Sequence, residues 1–393
     1  MFPNDSEPGV PGPLAGLLVA DFSRVLAGPY LTQILGDLGA TVIKVESARG
    51  DETRDWKPPE RDGVSTYYLG INRNKQDVVL DFRDAADRAL AQELARRADV
   101  VIENFKPGGL AKYGLDHETV RSTNPAAVYV SISGFGTKGG AELPGYDLLV
   151  QAASGLMSLT GDPEGTGYRS GVSVFDIMTG LHAGIGLLAA LRHRERTGEG
   201  QHVEVNLLST ALAAMANHSS TVVAGGVVPF RMGNAHPSLF PYEPFPTGDG
   251  ELVVVAANDG QFRLLARAID RPELLDDPRF ATTPLRNRNR EELRPVLVDA
   301  LSTASAQDWF ERLTAAGVPC GPINTLDGGI ALADRLGLEP VVQVGDGDAA
   351  IPMIRNAITL SATPAAYRSA PPTLGQHDTD IRAWLSVPVE EPA

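Results

Sequence analysis

A chain of 393 residues with 34 Lys and Arg against 49 Asp and Glu carries a formal charge of −15. That surplus of acid excludes nucleic acid as the main partner and a polybasic membrane surface, since both need a basic face. Hydrophobic residues at 43% and charged residues at 21% describe an ordinary folded chain, long enough for two or three domains. The single cysteine, Cys320, excludes a disulfide framework and a CxxC metal or redox site. It fits a reducing, cytoplasmic setting. Residues 1–13 are rich in Pro, Gly and acid, lack the pattern of a secretion signal, and read as a flexible tail. No apolar run reads as membrane-spanning, because the most apolar stretch, 180–191, ends in the charged run 192–196. The expectation is a soluble, intracellular protein.

In chain order, short β-branched runs at 17–22, 41–45, 78–82, 100–102 and 128–132 alternate with helical segments, clearest at 84–97. Strand–helix alternation of this kind predicts an α/β fold with a parallel, doubly wound sheet, whose ligands bind at the carboxyl ends of the strands. A long helix is predicted over 177–196, with Arg192, Arg194 and Arg196 at its negative end. A strand at 203–207 and a helix at 208–223 follow. From 225 to 250, Gly, Pro, Phe and His predominate, which reads as ordered loop. A second unit then begins with a strand at 252–256 and helices at 261–269, 291–301 and 306–316. The expected division is a large domain from 14–224 and 321–393 with a small α/β domain, 225–320, inserted in it.

Several familiar sites are missing. Phe22-Ser23-Arg24-Val25-Leu26-Ala27-Gly28-Pro29 stands after the first strand in place of GxGxxG, and there is no Walker A sequence. Gly171-Val172-Ser173-Val174-Phe175 lacks the final glycine of a nucleophile elbow. The seven histidines show no paired ligand spacing, so no metal is expected. What remains is Asp176, placed directly before the long helix. It reads either as a plain N-cap or as an ionised carboxylate able to attack an activated carbonyl. Spacing alone leaves both open.

A family resemblance bears on that choice. The segments Leu14-Ala15-Gly16-Leu17 through Gly28-Pro29 and Leu38-Gly39-Ala40-Thr41-Val42-Ile43-Lys44-Val45-Glu46 resemble the opening of class III CoA-transferases, the CaiB–BaiF family. Asn72-Arg73-Asn74-Lys75, Glu103-Asn104-Phe105-Lys106-Pro107-Gly108 and Gly145-Tyr146-Asp147 match further along. So do Asp176-Ile177-Met178-Thr179-Gly180, Arg196-Thr197-Gly198-Glu199-Gly200-Gln201 and Gly317-Val318-Pro319-Cys320-Gly321-Pro322. The similarity runs from Leu14 to about Leu385. It implies a Rossmann-like large domain, an interlocked homodimer, coenzyme A as part of substrate and product, and a small carboxylic acid as acceptor. It also implies that Asp176 is the nucleophile. Attack on an acyl-CoA thioester gives a mixed anhydride, the released thiolate gives an aspartyl-CoA thioester, and an acceptor carboxylate then takes up the CoA.

The resemblance assigns CoA contacts to Val25, Leu26 and Ala27 at the thioester end, to Leu80 and Arg83, to Asn104, Phe105 and Lys106, to Lys112 and Tyr113 around the adenine, and to Tyr146. Arg83 is also readable as a surface charge at a helix start, and Lys112 and Tyr113 as a solvated cation beside an aromatic at the core edge. Some members carry Gln where Leu26 stands, which argues against a formyl/oxalate-type specificity. The α-methylacyl-CoA racemases resemble the sequence too, but place His where Tyr146 stands, and an unperturbed Tyr is a poor base at neutral pH. A racemase or epimerase and a catalytically silent CoA-binding protein are the alternatives. Gly233, Asn234 and His236 resemble a loop that closes over the acyl group, with His236 readable as catalytic or as loop packing. The stretch 44–112, which holds many of these contacts, carries thirteen basic and thirteen acidic residues and so escapes the acidic surplus.

Overall fold

A computed structural model describes residues 11–345, 347 and 350–388. They form two compact units. The first is built from the chain up to 156, from 169–227 and from 339 onward; the second from 157–168 and 228–338.

Six strands make the sheet of the first unit: β1 (Leu18–Asp21), β2 (Thr41–Glu46), β3 (Lys75–Val79), β4 (Val100–Glu103), β5 (Val128–Ser133) and β6 (His202–Asn206). All neighbours are parallel, and the order across the sheet is 3-2-1-4-5-6. This is the doubly wound α/β arrangement, in which the strand order reverses between β1 and β4 and opens a crevice at their carboxyl ends. Helices α1 (Ala27–Asp37), α4 (Val174–Thr197) and α5 (Leu207–Ala214) bury Leu31, Leu35, Ala183, Leu187 and Ala211 on one face of the sheet. Helix α2 (Ala85–Arg97) and the C-terminal helix α10 (Asp378–Ser386) cover the other with Leu94, Ala95, Ile381 and Leu385. The free edge of β3 is closed by the returning chain. Val79 N–H donates to Asp378 (2.7 Å), and His377 exchanges bonds with the Asp77 backbone (3.0 and 3.1 Å).

The second unit holds a three-stranded antiparallel sheet, in which β8 (Glu251–Val255) lies between β7 (Tyr242–Pro246) and β9 (Cys320–Pro322). Helices α7 (Asp259–Ala268), α8 (Arg290–Leu301) and α9 (Ala306–Ala315) pack on it around Phe245, Phe262, Leu297 and Trp309.

The parallel sheet and the smaller unit agree with the sequence expectation, and several boundaries move. The strand expected at 78–82 begins at Lys75, because the buried Lys75 and Asp77 interrupt the apolar pattern while their partners make burial tolerable. The helix expected at 208–223 breaks into α5 and α6 (Ala216–Val223) at Ala216, whose φ is 29°. Strand β7 sits in the stretch read as loop; Pro244 and Pro246 obscure it, and it is an edge strand, where proline is tolerated. The large unit resumes at 339 rather than 321, since β9 pairs with β8 and the helix Leu326–Arg335 follows within the small unit. Residues 1–10 of the expected tail lie outside the described residues. Contrary to the reading of 180–191, α4 is long and apolar enough to cross a membrane by length and composition. One of its faces lies in the core through Phe175, Ala183, Leu187 and Leu191.

Candidate active site

At the crevice between β1 and β4 lies a cleft of about 360 Å³. Its walls are the turn after β1 (Val25, Leu26, Ala27), the loop after β4 (Asn104, Phe105, Lys106), the 142–146 segment and Asp176. The Gly134–Gly145 contact seats the 142–146 segment against the end of β5, with Gly145 Cα 2.3 Å from where a Gly134 Cβ would stand.

Asp176 is not a cap. Helix α4 begins three residues before the predicted start, at Val174, so Asp176 lies inside its first turn. The cap comes from another element. Asp147, the first residue of α3 (Asp147–Ala153), accepts hydrogen bonds from the N–H groups of Phe175 (2.8 Å) and Asp176 (3.1 Å), and Gln151 donates to its second oxygen. The orphan donors of α4 are thereby satisfied without Asp176. Among the described residues, no hydrogen-bond donor engages the Asp176 carboxylate. Burial, and then the negative charge of Asp147, push it up to about 7. Such a group exchanges its proton near neutral pH and is nucleophilic once ionised.

Two further parts of the motif around Asp176 have physical reasons. Gly180, one turn on, lies where a Cβ would stand 2.5 Å from the Ala27 carbonyl oxygen, so only glycine lets α4 approach the turn after β1. Thr179 is fully buried. Tyr67, which sequence reasoning missed, lies close enough to feel the charge of that carboxylate. Burial and then the charge of Asp176 push its hydroxyl up to about 12, against a hydrogen bond to Ser173 that lowers it, so it stays a neutral donor.

The model of CoA-transferase family III matches residues 14–378. The chain is 42% identical over 383 residues to the succinate–glutarate CoA-transferase of Agrobacterium fabrum, covering 95% of this chain and 96% of that one. It is 38% identical to the human succinyl-CoA:glutarate CoA-transferase, over 94% of this chain and 85% of that one. A CAIB/BAIF family protein from Brucella suis superposes with a TM-score of 0.85 at 40% identity, covering 96% of this chain and all of that one.

The chain belongs to CoA-transferase family III.

Within this family III chain, the cleft gathers Val25, Leu26, Ala27, Asn104, Phe105, Lys106, Tyr146 and Asp176 from the residues expected at the site. Tyr146 is 59% exposed at the start of α3. Lys106 pairs with Glu142 at the mouth, and Arg24, which the sequence reading passed over, pairs with Glu52 (3.0 Å) and lies over the Phe105 ring. The other expected contacts stand apart from the cleft. Leu80 is buried in the core. Arg83 is exposed and forms a fork with Asp81 (2.9 and 2.8 Å), the arrangement of a surface charge at a helix start. Lys112 lies over the Tyr113 ring (4.9 Å), and that ring stands 5.6 Å from Phe82, which in turn faces Phe105.

Gly233, Asn234 and His236 belong to the second unit. His236 Nδ1 accepts hydrogen bonds from the Ser238 (3.0 Å) and Leu239 (3.1 Å) N–H groups, and its ring packs beside Tyr242. That geometry is loop packing. Among the described residues, no group of three or more His, Cys, Asp or Glu is arranged to hold a metal.

Proposed function

We propose that the protein is an acyl-CoA:carboxylate CoA-transferase in which Asp176 is the covalent nucleophile. The observation that carries this reading is a carboxylate at a helix start, relieved of capping by Asp147 and facing a cleft at the sheet's switch point. Ionised Asp176 attacks the thioester carbon; the C–S bond breaks, CoA leaves as thiolate, and an acyl–aspartyl anhydride forms. The thiolate then attacks the aspartyl carbonyl, expelling the donor acid as its carboxylate and leaving an aspartyl-CoA thioester. The acceptor carboxylate attacks that thioester, and the thiolate released attacks the acceptor's acyl carbon, which restores Asp176. Tyr67, a neutral hydroxyl within the electrostatic reach of Asp176, suits the oxygen on which charge builds in each step. Arg24 and Lys106 at the mouth suit the phosphates of CoA, and Phe105 between them offers a face for stacking.

Small dicarboxylic acids as donor and acceptor rest on the likeness to the succinate–glutarate enzyme. The racemase reading is weaker. Tyr146 replaces the histidine, and Asp147 is committed to the α4 cap, so a second base is missing from this geometry. A matrix of acyl-CoA donors against acid acceptors, read by mass spectrometry in deuterated solvent, decides between them. CoA transfer without α-deuteration is expected; α-deuteration with no acceptor present would overturn the reading.

An interlocked homodimer is part of the proposal. The face of α4 turned from the core exposes Leu181, Ile185 and Leu188, and Leu212 is exposed on α5; an apolar stripe of this kind supports coverage by a second copy.

A further inference from the structure

Turning from β1 into α1, the chain adopts a conformation that its residues do not favour. Val25 has φ 68°, a left-handed angle that is an outlier for a β-branched side chain. Leu26, next in line, sits at φ −129°, ψ −60°, and no side chain caps the helix it opens. Both residues line the cleft beside Asp176. Strain of this kind persists only where the surroundings hold it.

Three side chains do so, one backbone group after another. Lys44 of β2 donates to the Ser23 carbonyl (3.0 Å). Asn104 brackets Arg24, its oxygen accepting from the Arg24 N–H (2.9 Å) and its amide donating to the Arg24 carbonyl (2.7 Å). Asp51 accepts the Val25 N–H through both oxygens (3.2 and 3.4 Å). Lys44 and Asp51 pair at 3.0 Å and are almost wholly buried. Asp51 is itself fixed by the N–H (3.0 Å) and hydroxyl (2.8 Å) of Thr53. Burial disfavours both charges, yet the Lys44 pKa is raised by Asp51 and that of Asp51 lowered by Lys44, so the pair stays ionised. A buried ion pair adds little net stability, and here its bonds are directed at one strained turn.

We propose that Lys44, Asp51 and Asn104 form a clamp whose work is to hold Val25–Ala27 in the strained conformation that sets the turn against the acyl carbonyl attacked by Asp176. They are positioning residues, and Asn104 acts through the turn rather than as a CoA contact, since both ends of its amide are engaged by Arg24. The backbone N–H groups opening α1 then stand uncapped beside the nucleophile, as stabilisation of a developing oxyanion requires. This rests on reading the cleft as the acyl-transfer site.

The test compares losses with and without Val25→Gly in the full-length protein. Succinyl-CoA and glutarate serve as substrates, or the pair that the donor–acceptor matrix identifies. Asn104→Ala lowers kcat on the order of 10-fold, and the charge-balanced pair Lys44→Met with Asp51→Asn on the order of 100-fold, while KM for acyl-CoA stays within about threefold. Glycine takes a positive φ without a Cβ clash, so each loss shrinks at least about fivefold in the Val25→Gly background. Losses of equal size in both backgrounds would overturn the clamp, as would a rise in KM in place of a fall in kcat for Asn104→Ala. If circular dichroism shows the paired variant unfolded, Asn104→Ala decides alone. Retained activity in Asp176→Asn would instead remove the nucleophile reading and leave the coupling at Val25 to be judged by itself.

Discussion

Asp176 combines two demands that oppose each other. To attack a thioester it must be ionised, yet burial and the neighbouring Asp147 charge hold its pKa up at about 7. A less solvated carboxylate is the more reactive one, and activity then follows its titration. For the free enzyme, kcat/KM for acyl-CoA is expected to rise with pH on a single limb centred near 7. A flat profile between pH 5 and 8 would contradict the assignment. The same shift bears on stability. An unfolded Asp ionises near 4 and the folded one near 7, so the folded state loses stability as pH rises between them. Asp176→Asn therefore raises Tm at pH 8 relative to wild type, with little effect at pH 4. Tyr67 completes the residue picture, and no sequence pattern points to it. It lies 109 positions from Asp176 by number, and only the fold brings it within reach of that charge.

Among the elements, α4 and the turn after β1 are the two that matter most, and Gly180 is where they meet. Gly180→Ala forces the Ala27 carbonyl and the helix apart, since the new Cβ would stand 2.5 Å from that oxygen. A loss of about 1–3 kcal/mol in stability is expected, with kcat falling more than KM rises, read by thermal melts and steady-state kinetics. Wild-type stability and kcat in this variant would refute the contact. The same elements show what the chain discloses by itself. Alternation of apolar runs and helical segments predicts the parallel sheet correctly, because period and length are local properties. The start of α4 is placed three residues late, because its cap is Asp147, which lies in another helix 29 residues before Asp176. Asn72-Arg73-Asn74-Lys75 stands out as a motif, yet its use is invisible without the fold. Arg73 and Asn74 bind Asp37, while Lys75 reaches Asp21 and the Pro29 carbonyl beneath α1. The clamp on Val25 is equally hidden, since its members come from β2, the segment after it and the loop after β4.

Across the whole molecule, the strand order places the reversal of the sheet at β1 and β4, and the turns leaving those strands build most of the cleft. The acidic surplus of the sequence does not reach this mouth unopposed, where Arg24 and Lys106 stand with Glu52 and Glu142. A second copy is the proposed cover for the apolar face of α4. Sedimentation of the wild-type protein should give a dimer, and Ile185→Asp, which places a charge on a residue 67% exposed, should weaken it. A monomer at micromolar concentration in the wild type would contradict the assembly.

The covalent role of Asp176 is the centre of the account, and one trapping measurement reaches it directly. The enzyme is incubated with acyl-CoA, quenched with hydroxylamine and digested, and its peptides are read by mass spectrometry. The predicted result is a hydroxamate on the peptide holding Asp176, formed only with acyl-CoA present and accompanied by loss of activity. An unmodified Asp176 in a protein that turns over at the same time, or a label on another carboxylate, would contradict it.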